Sequence, residues 1–304
     1  MEGNDQIKEQ FHRIKNVGTI HDIQVFKGVT LGYYDLKVDH WKGEEMTPAG
    51  ANIIEINHCQ KGRFECEFIN NSFYYLGEDN LAISRVSDKK THSGFPLGMY
   101  SGINILIDLD QCEAEFFELL GNFLVNTDRL VEKWRHLLPC KIFQESRQIN
   151  YIFKELYELE EAMNIGYLKC KVVELMVLFD QYKIGLATTH QHFGKGQVEK
   201  AKHIRMHLEE ELDREITLAE LAREHEISES TIKRCFEAIY GKTPTQYRKE
   251  FRMQVAAKQL LETNDSVSEI GMQVGYLNPS KFSNAFRLVM KLSPSEYRNE
   301  KKTQ

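Results

Sequence analysis

Residues 236–248 read FEAIYGKTPTQYR, and residues 286–298 read FRLVMKLSPSEYR. The two stretches align at a constant offset of 50, with phenylalanine, proline, tyrosine and arginine at matching positions. Self-similarity at a fixed period indicates a repeated structural unit. The C-terminal third of this 304-residue chain is therefore expected to contain one unit twice.

Each copy is expected to begin with a short helix. Thr217 and Glu220 have the spacing of a capping box, which predicts a helix from Thr217 to about His225. Ser266 and Glu269 repeat that spacing at an offset of 49. The offset becomes 50 in the following turn, where residues 275–278 contain one more residue than residues 226–228.

A second helix follows in each copy, capped by Ser228 in the first and by Asn278 before Pro279 in the second. Apolar spacing predicts buried faces formed by Ile232, Cys235, Phe236 and Ile239, and by Phe282, Ala285, Phe286 and Val289. The opposite faces carry small polar residues near the N-terminus and cations, which suits a helix that approaches base edges.

A long helix from Pro244 to about Glu262 is predicted between the copies. Its 19 residues span about 28 Å, close to one turn of DNA at about 34 Å. A doubled helix-turn-helix joined in this way predicts a protein that grips two stretches of DNA.

From about Gln197 to Arg298, the chain resembles the DNA-binding domain of the AraC/XylS family of bacterial transcription regulators. The resemblance rests on the motif at 241–247, on Arg252, Met253 and Ala256, and on the extended pattern from Ile270 to Arg298. Two positions depart from the family pattern. Gly271 stands where alanine is usual, and Lys291 stands where glycine is usual, after a helix end that favours positive φ.

Charge supports the same interpretation, because cations concentrate where DNA would lie. Residues 231–304 hold 13 Lys and Arg against 7 Asp and Glu, whereas residues 197–230 hold 5 against 10. The whole chain has a net charge of −6, so it is not expected to coat DNA indiscriminately.

The predicted DNA contacts lie on the two second helices, on the long helix and at the second repeat end. Ser230, Lys233, Arg234, Ser280, Lys281 and Asn284 are the predicted base-edge residues, accompanied by Thr231, Ser283 and Arg287 on the same outward faces. Arg248, Lys249, Arg252 and Arg298 are predicted to contact phosphate or to pair within the protein. Because the two outward faces differ in sequence, they are expected to read different bases.

Residues 1–196 have a net charge of −7, which disfavours nucleic acid as a partner for that half. The six cysteines include no Cys-x-x-Cys pair, and neither a signal peptide nor an 18-residue apolar run is recognisable. A cytoplasmic location is expected, with no membrane partner. The expected domains are a sensor at 1–110, a helical dimerisation segment at 111–188, a linker at 189–197 and the DNA-binding domain at 198–304.

Short strands with period-two alternation are predicted between about Gln24 and Asp108, at 53–58, 64–68, 73–76, 81–86 and 102–107. This density suits a small β-barrel or a jelly roll. It resembles the cupin-like sensor domain that precedes many DNA-binding domains of the family. The expected fold class is thus α+β, with an all-α C-terminal domain.

The stretch after the strands turns helical. One apolar stripe comprises Ile149, Ile152, Phe153, Leu156, Leu159 and Met163, and a second comprises Leu168, Val172, Leu175, Met176 and Phe179. Core packing and an intermolecular helix face are both consistent with the stripes, and family resemblance implies a homodimer. Residues 190–196, rich in glycine, are interpreted as part of the linker.

Enzymatic chemistry is disfavoured, and neither a cofactor nor a metal is expected. The histidines at 40, 58 and 92 are isolated, and His190 with His192 lacks a third ligand. Cys140 follows proline as in the active site of DNA alkyl transferases, but the activating histidine is missing, so a packed thiol is expected.

The leading hypothesis is a promoter-binding regulator, an activator controlled by a small-molecule effector in the N-terminal domain, with RNA polymerase as a partner. Possible polar anchors for the effector are Tyr33, Tyr34, Arg63, Tyr74, Tyr75 and Arg85. The alternative for that domain is a closed barrel whose tyrosines pack. In that case the protein is a constitutive regulator whose N-terminal half only dimerises.

Overall fold

A computed structural model of the chain describes residues 9–14, 17–42, 52–136, 140–143, 147–159, 164–181 and 192–302. The chain divides into two compact units, Met1–Gly194 and Lys195–Gln304. No helix among the described residues is long and apolar enough to cross a membrane.

The N-terminal unit contains twelve described strands and four described helices. The strands are β1 (Glu9–Ile14), β2 (Gly18–Phe26), β3 (Val29–Leu36), β4 (His40–Lys42), β5 (Ile53–Gly62), β6 (Phe64–Phe68), β7 (Ser72–Leu76), β8 (Leu81–Arg85), β9 (Lys89–Gly94), β10 (Tyr100–Asp108), β11 (Cys140–Phe143) and β12 (Phe193–Gly194). The helices are α1 (Ala114–Asn122), α2 (Thr127–Arg135), α3 (Arg147–Leu159) and α4 (Ile165–Gln181).

These strands form two antiparallel sheets. One has the order β1-β2-β3-β10-β5-β8-β11 and the other the order β12-β7-β6-β9-β4. The fold class is α+β, as predicted, with the two sheets in the N-terminal unit and helices in the C-terminal unit. Of the two expected architectures, a small β-barrel and a jelly roll, a closed barrel is wrong, because no ladder joins one sheet to the other among the described strands. A layer of buried side chains from both sheets, including Ile20, Leu36, Phe68 and Leu76, holds the sheets together instead.

One face of the larger sheet is strongly apolar. Ile54 and Ile56 of β5 and Ile103 and Ile105 of β10 are fully buried in a cluster that also includes residues of α1 to α4. Period-two alternation places these side chains on one face of the sheet. The helices therefore cover that face and shield it from water.

Both predicted helical stripes lie in this same core. Ile149, Ile152, Phe153 and Leu156 of α3 are buried there, together with Leu168, Val172, Leu175, Met176 and Phe179 of α4. Core packing is therefore the outcome for these buried residues, which do not form an exposed face for a second molecule. Met163 lies outside the described residues, as do 160–162.

Three features of the N-terminal unit differ from the sequence expectations. Strand β2 begins at Gly18, before the predicted start of the strands, and β11 lies within the stretch expected to be helical. In the predicted linker, Phe193–Gly194 pairs with Phe73 and Ser72 of β7, and Lys195 already begins a helix. Phe193 is 1% exposed, so its burial against the sheet explains the pairing. His190 and the other linker residues at 189–191 lie outside the described part.

Helices are the regular secondary structure of the C-terminal unit in its described residues, and short loops connect them. Its helices are α5 (Lys195–Glu210), α6 (Leu218–Glu224), α7 (Glu229–Tyr240), α8 (Pro244–Glu262), α9 (Val267–Gln273), α10 (Pro279–Met290) and α11 (Pro294–Lys302). The long helix α8 contacts α5 and α7 of the first copy and α9, α10 and α11 of the second. It therefore belongs to both halves of the repeat.

His58 lies where the larger sheet meets α3. Its ring is 3% exposed and stacks on Phe153, with ring centroids 4.2 Å apart, and its Nδ1 lies 3.1 Å from the Tyr157 hydroxyl. Burial lowers the pKa of His58 to about 4.

Acidification should therefore destabilise the N-terminal unit through His58. Between about pH 6.5 and 4, the unfolded chain binds a proton on this histidine while the folded chain does not, so stability is lost as the pH falls. The loss from this group should reach about 3 kcal/mol. Urea unfolding followed by tryptophan fluorescence will measure it, because both tryptophans, at 41 and 134, belong to this unit.

His58→Phe should remove that part of the pH dependence, whereas His136→Gln, a change at an exposed histidine, should keep it. An unchanged pH dependence in His58→Phe would contradict the assignment.

Candidate nucleic-acid interface

The second helix of each copy begins at a side-chain cap. In α7, the Ser228 hydroxyl accepts a hydrogen bond from the Thr231 amide at 3.2 Å. In α10, Asn278 Oδ1 accepts from the amides of Ser280 and Lys281 at 3.0 and 3.1 Å. These caps hold the first turns in place, and a helix N-terminus adds a partial positive charge that favours phosphate nearby.

The exposed face of α7 carries charges of both signs. Ser230, Lys233 and Arg234 are exposed as predicted, but Glu229 and Glu237 are exposed as well. Thr231 is half-buried, and its hydroxyl lies 2.8 Å from that of Ser228. The Ser230 hydroxyl also lies 3.1 Å from that of Ser228, so Ser230 and Thr231 both contact the cap, and Lys233 and Arg234 are the cations exposed on this face.

The exposed face of α10 has no carboxylate. Ser280, Lys281, Asn284 and Arg287 are exposed, and Ser283 is half-buried. Arg287 corresponds to the acidic Glu237 of α7, and its Nη2 lies 3.8 Å from the Glu296 carboxylate. The second helix therefore presents the more cationic surface of the two. The sequence already placed Glu237 and Arg287 on the outward faces, but it did not single out Glu229 in the first turn of α7.

The two copies share their internal scaffold. Tyr247 meets the Phe236 ring edge-on, with centroids 5.4 Å apart and planes at 79°, and Tyr297 meets Phe286 at 5.5 Å and 81°. Capping boxes start α6, α8 and α9. This agreement places α7 and α10 equivalently within their own halves.

Arg248 and Arg298 occupy equivalent positions and bind backbone carbonyls. Arg248 is 7% exposed, and its Nη2 donates to the carbonyl oxygens of Glu211, at 2.6 Å, and Arg214. Arg298 donates to those of Leu260 at 3.2 Å and Asp265 at 2.6 Å. Each arginine therefore secures the loop that leads into the first helix of its copy.

The prediction that Arg248 contacts phosphate does not fit this geometry, because its guanidinium is buried. Burial, together with the charge of Arg252, lowers its pKa to about 10. Arg298 is half-buried and has its donors on carbonyls. Arg252 donates to the Arg214 carbonyl at 3.0 Å and lies over the Tyr276 ring at 5.9 Å. Pairing within the protein, the alternative for these arginines, is what the structure shows.

The two unusual residues of the second copy have local explanations. Lys291 ends α10 with φ of 66°, as Gly241 ends α7 with φ of 73°, so the lysine adopts a conformation that favours glycine. A Cβ on Gly271 would lie 3.1 Å from the Phe282 ring. The equivalent positions in the first copy hold Ala222 and Ile232. In the second copy, glycine therefore stands in place of alanine where the phenylalanine ring stands in place of isoleucine.

The interior between the two N-terminal sheets contains polar residues. One row of residues paired in register runs across β2, β3, β10, β5 and β8, and it consists of Asp22, Gly32, Asn104, Asn57 and Ala82. Asn57 accepts a hydrogen bond from the Tyr100 hydroxyl at 2.5 Å, but its buried Nδ2 has no partner within the described residues. Such unpaired buried groups are uncommon and call for an explanation.

A small cavity of about 10 Å³ lies beside Asn57, with room for one water molecule. It is lined by Glu55, Asn57, Phe64, Cys66, Phe68, Tyr74, Leu76, Ala82, Ser84, Lys89, Cys140 and Ile142. The half-buried Lys89 and the buried Glu55 form an ion pair, and Ser84 Oγ lies 3.4 Å from the Glu55 carboxylate. Burial also raises the pKa of the Cys140 thiol to about 12, as fits a packed cysteine.

Of the six predicted effector anchors, only Tyr74 lines this cavity. Tyr33 points the other way, where its hydroxyl donates to the Leu156 carbonyl of α3 at 2.8 Å. Tyr75 donates to Glu65 at 2.7 Å, and Arg85 donates to Asp88. The Tyr34 ring packs beside Gly32, and the Arg63 guanidinium packs beside Gly77.

Sequence reasoning missed Glu55, Asn57, Ser84 and Lys89. Glu55 and Asn57 alternate with isoleucines, a pattern that normally indicates a face exposed to water. Here the second sheet covers that face, which only the tertiary structure reveals.

The sequence has recognisable relatives among transcription regulators. A sequence profile described as a helix-turn-helix domain matches residues 221–300. The chain is 29% identical over 124 residues to the HTH-type transcriptional activator RhaR of Mannheimia succiniciproducens, covering 40% of this chain and 45% of that protein. It is 38% identical over 82 residues to an AraC-like transcription regulator of Streptomyces lividans, covering 27% of each.

A longer match, 31% identical over 206 residues, is to the lactose operon transcription activator of Staphylococcus xylosus, covering 66% of this chain and 64% of that protein. The chain thus spans between about a quarter and two thirds of the length of these relatives.

Solved structures were also compared with the chain. The C-terminal domain of AraT, a response regulator from Geobacillus stearothermophilus, is 27% identical, with 33% of this chain and 84% of that chain covered and a TM-score of 0.32. ToxT from Vibrio cholerae is 14% identical, with 89% and 97% covered and a TM-score of 0.32. At these TM-scores the structural alignments add no weight to the sequence matches.

Arg248 and Lys249 are neighbours on α8, and replacing each one separately distinguishes a structural role from a role in DNA binding. Arg248→Ala should lower the unfolding free energy of the C-terminal unit by about 2–3 kcal/mol, because carbonyls bonded to a charged donor lose their partner. Hydrogen exchange of α5 and α6 in the full-length protein will report the loss.

Lys249→Ala is the matched change at a half-buried cation. It should alter stability by less than about 0.5 kcal/mol and, if Lys249 contacts phosphate, reduce the salt slope of DNA binding by about 1. The assignments would be reversed if Arg248→Ala left hydrogen exchange unchanged and reduced only the salt slope.

Proposed function

The C-terminal unit is an AraC-type helix-turn-helix domain, and from that premise we propose that the chain is a sequence-specific, promoter-binding activator of transcription that responds to a small molecule. The observation that supports DNA reading best is the pair of exposed polar faces on α7 and α10, capped at equivalent positions of a 50-residue repeat. Two relatives are named as transcription activators, which supports activation rather than repression.

The two faces are proposed to read different bases in adjacent major grooves. Ser230, Lys233 and Arg234 serve the first half, and Ser280, Lys281 and Asn284 serve the second. Lys249 on α8 is proposed to contact phosphate, and Arg287 lies at the edge of the second face. Bases differ in the groups that they show in the major groove, and the two sets of side chains differ accordingly. Each monomer would then occupy an asymmetric site.

Replacing one proposed base-contacting residue in each half will test this assignment. Arg234→Ala and Asn284→Ala should each weaken binding by about 1–3 kcal/mol and relax base preference in a different half of the site, because each removes one base contact. Footprinting titrations on selected DNA and its single-base variants will show where preference is lost.

Lys258→Ala is the control, since Lys258 is an exposed cation of α8 that lies 4.0 Å from Glu262. It should leave base preference intact. If Arg234→Ala and Asn284→Ala both kept wild-type affinity and base preference, the assignment would be wrong.

The effector is proposed to enter the N-terminal interior at the polar cavity. An ion pair removed from water is costly to desolvate. The Glu55–Lys89 pair, with an Asn57 amide that has no partner in the described part of the chain, offers charged and polar groups that a ligand could engage. Because the cavity as described holds only one water molecule, binding must open it. Ligand binding would then be coupled to a change in the sandwich, and through it to contact with RNA polymerase.

The same small volume favours a second candidate, a constitutive DNA-binding regulator whose N-terminal unit only dimerises. A screen of the full-length protein against metabolite pools by thermal shift, followed by DNA titration, will distinguish the two.

For an effector, we expect a shift in the wild type that the paired change Glu55→Gln with Lys89→Met abolishes, since it removes both charges but keeps similar volume. DNA binding without effector should persist in that variant. No shift with any pool, together with constant DNA affinity, would establish the constitutive alternative.

A further inference from the structure

Leu277 is the residue that makes the second copy one residue longer than the first. After α6, Glu226 adopts φ of 50° and the Ile227 amide donates to the Ala222 carbonyl at 3.0 Å. After α9, Gly275 adopts φ of 82° and the Tyr276 amide donates to the Gly271 carbonyl at 2.8 Å. The two turns therefore match through Ile227 and Tyr276.

The caps that follow, Ser228 and Asn278, match at an offset of 50 instead of 49. Leu277 stands between the matched turn and the matched cap and has no counterpart in the first copy.

The insertion has no packing role that the structure shows. A residue just before a helix cap often packs against the fourth helical residue, here Phe282. Tyr276 makes that contact instead, with ring centroids 5.9 Å apart. Leu277 is left 90% exposed. Single exposed leucines are common, so its position rather than its exposure carries the inference.

That position is the entry of the proposed recognition helix. Leu277 is followed directly by Asn278, Pro279, Ser280 and Lys281, all of them exposed, and the first turn contains no acidic residue. In helix-turn-helix proteins, the N-terminal residues of this helix contact base edges in the major groove. The 5-methyl group of thymine is the apolar feature of that groove.

We propose that Leu277 reads a thymine by packing on its 5-methyl group, which gives the second half of the site a contact that the first half lacks. This inference rests on the proposed function, because it requires α10 to dock in the major groove. It makes Leu277 a specificity-determining residue beside Ser280, Lys281 and Asn284.

The test uses full-length protein and DNA sites that the wild type selects from a random library. Each thymine of the selected site is replaced singly by deoxyuridine, which removes only the methyl group, and affinity is measured by fluorescence anisotropy at one salt concentration. At one thymine in the half read by α10, wild type should lose about fourfold in affinity, the effect of one buried methyl group. Leu277→Ala should bind the thymine and deoxyuridine sites equally, whereas Leu277→Ile should retain discrimination.

The control is Leu124→Ala, since Leu124 is a comparably exposed leucine, at 91%, in the N-terminal unit. It should discriminate as wild type does. The inference is overturned if no thymine is sensitive in the wild type, or if Leu277→Ala remains as sensitive as the wild type. A uniform loss of affinity in Leu277→Ala without any thymine sensitivity would place the side chain on the sugar-phosphate backbone and also overturn it. Failure of the proposed function would look different, because wild type would then select no DNA site.

Discussion

The C-terminal unit depends on one repeated interaction, an arginine side chain that binds the carbonyl oxygens of the loop before a helix-turn-helix. Arg248 does so for the loop after α5, and Arg298 does so for the loop after α8 and for a carbonyl in the last turn of α8. Carbonyls at helix ends lack partners within the helix, and a charged donor satisfies them strongly. Since each arginine lies on the helix that follows its own helix-turn-helix, the contact closes each half on itself.

Helix α8 makes the two closed halves into one unit. Its beginning supplies Tyr247 and Arg248 to the first half, and its later turns supply Met253, Ala256 and Leu260 to the core of the second. A single rigid helix therefore determines how far apart α7 and α10 lie. The halves differ in the side chains on their outward faces, in Leu277 in the turn, in Lys291 at the helix end, and inside the fold at Gly271 and Phe282. Lys291 keeps the left-handed conformation at the end of α10. The lysine therefore adds conformational strain at that position and does not change the path of the chain.

The N-terminal unit shows what the alternation of apolar and polar residues can predict and what it cannot. Alternation of Ile54 and Ile56 with Glu55 and Asn57 predicted a strand, and β5 is that strand. The same alternation could not show that a second sheet covers the polar side, because period-two spacing identifies two faces without identifying what covers each. The effector anchors were chosen by residue type, and five of the six consequently lie outside the lining of the cavity. Whether two sheets close into a barrel depends on pairing between strands that are distant in sequence. The spacing of neighbouring residues does not encode that pairing.

The sequence by itself determined the repeated helical unit, its caps and its buried faces, because these depend on residues three and four positions apart. It also determined that the outward faces of α7 and α10 differ, as with Arg234 against Asn284. Only the tertiary structure decided that Arg248 is buried on carbonyls rather than available to phosphate, since its partners lie more than thirty residues away in sequence. It also decided that Glu55, Asn57 and Lys89 meet around one small cavity, because that meeting requires two sheets to pack face to face.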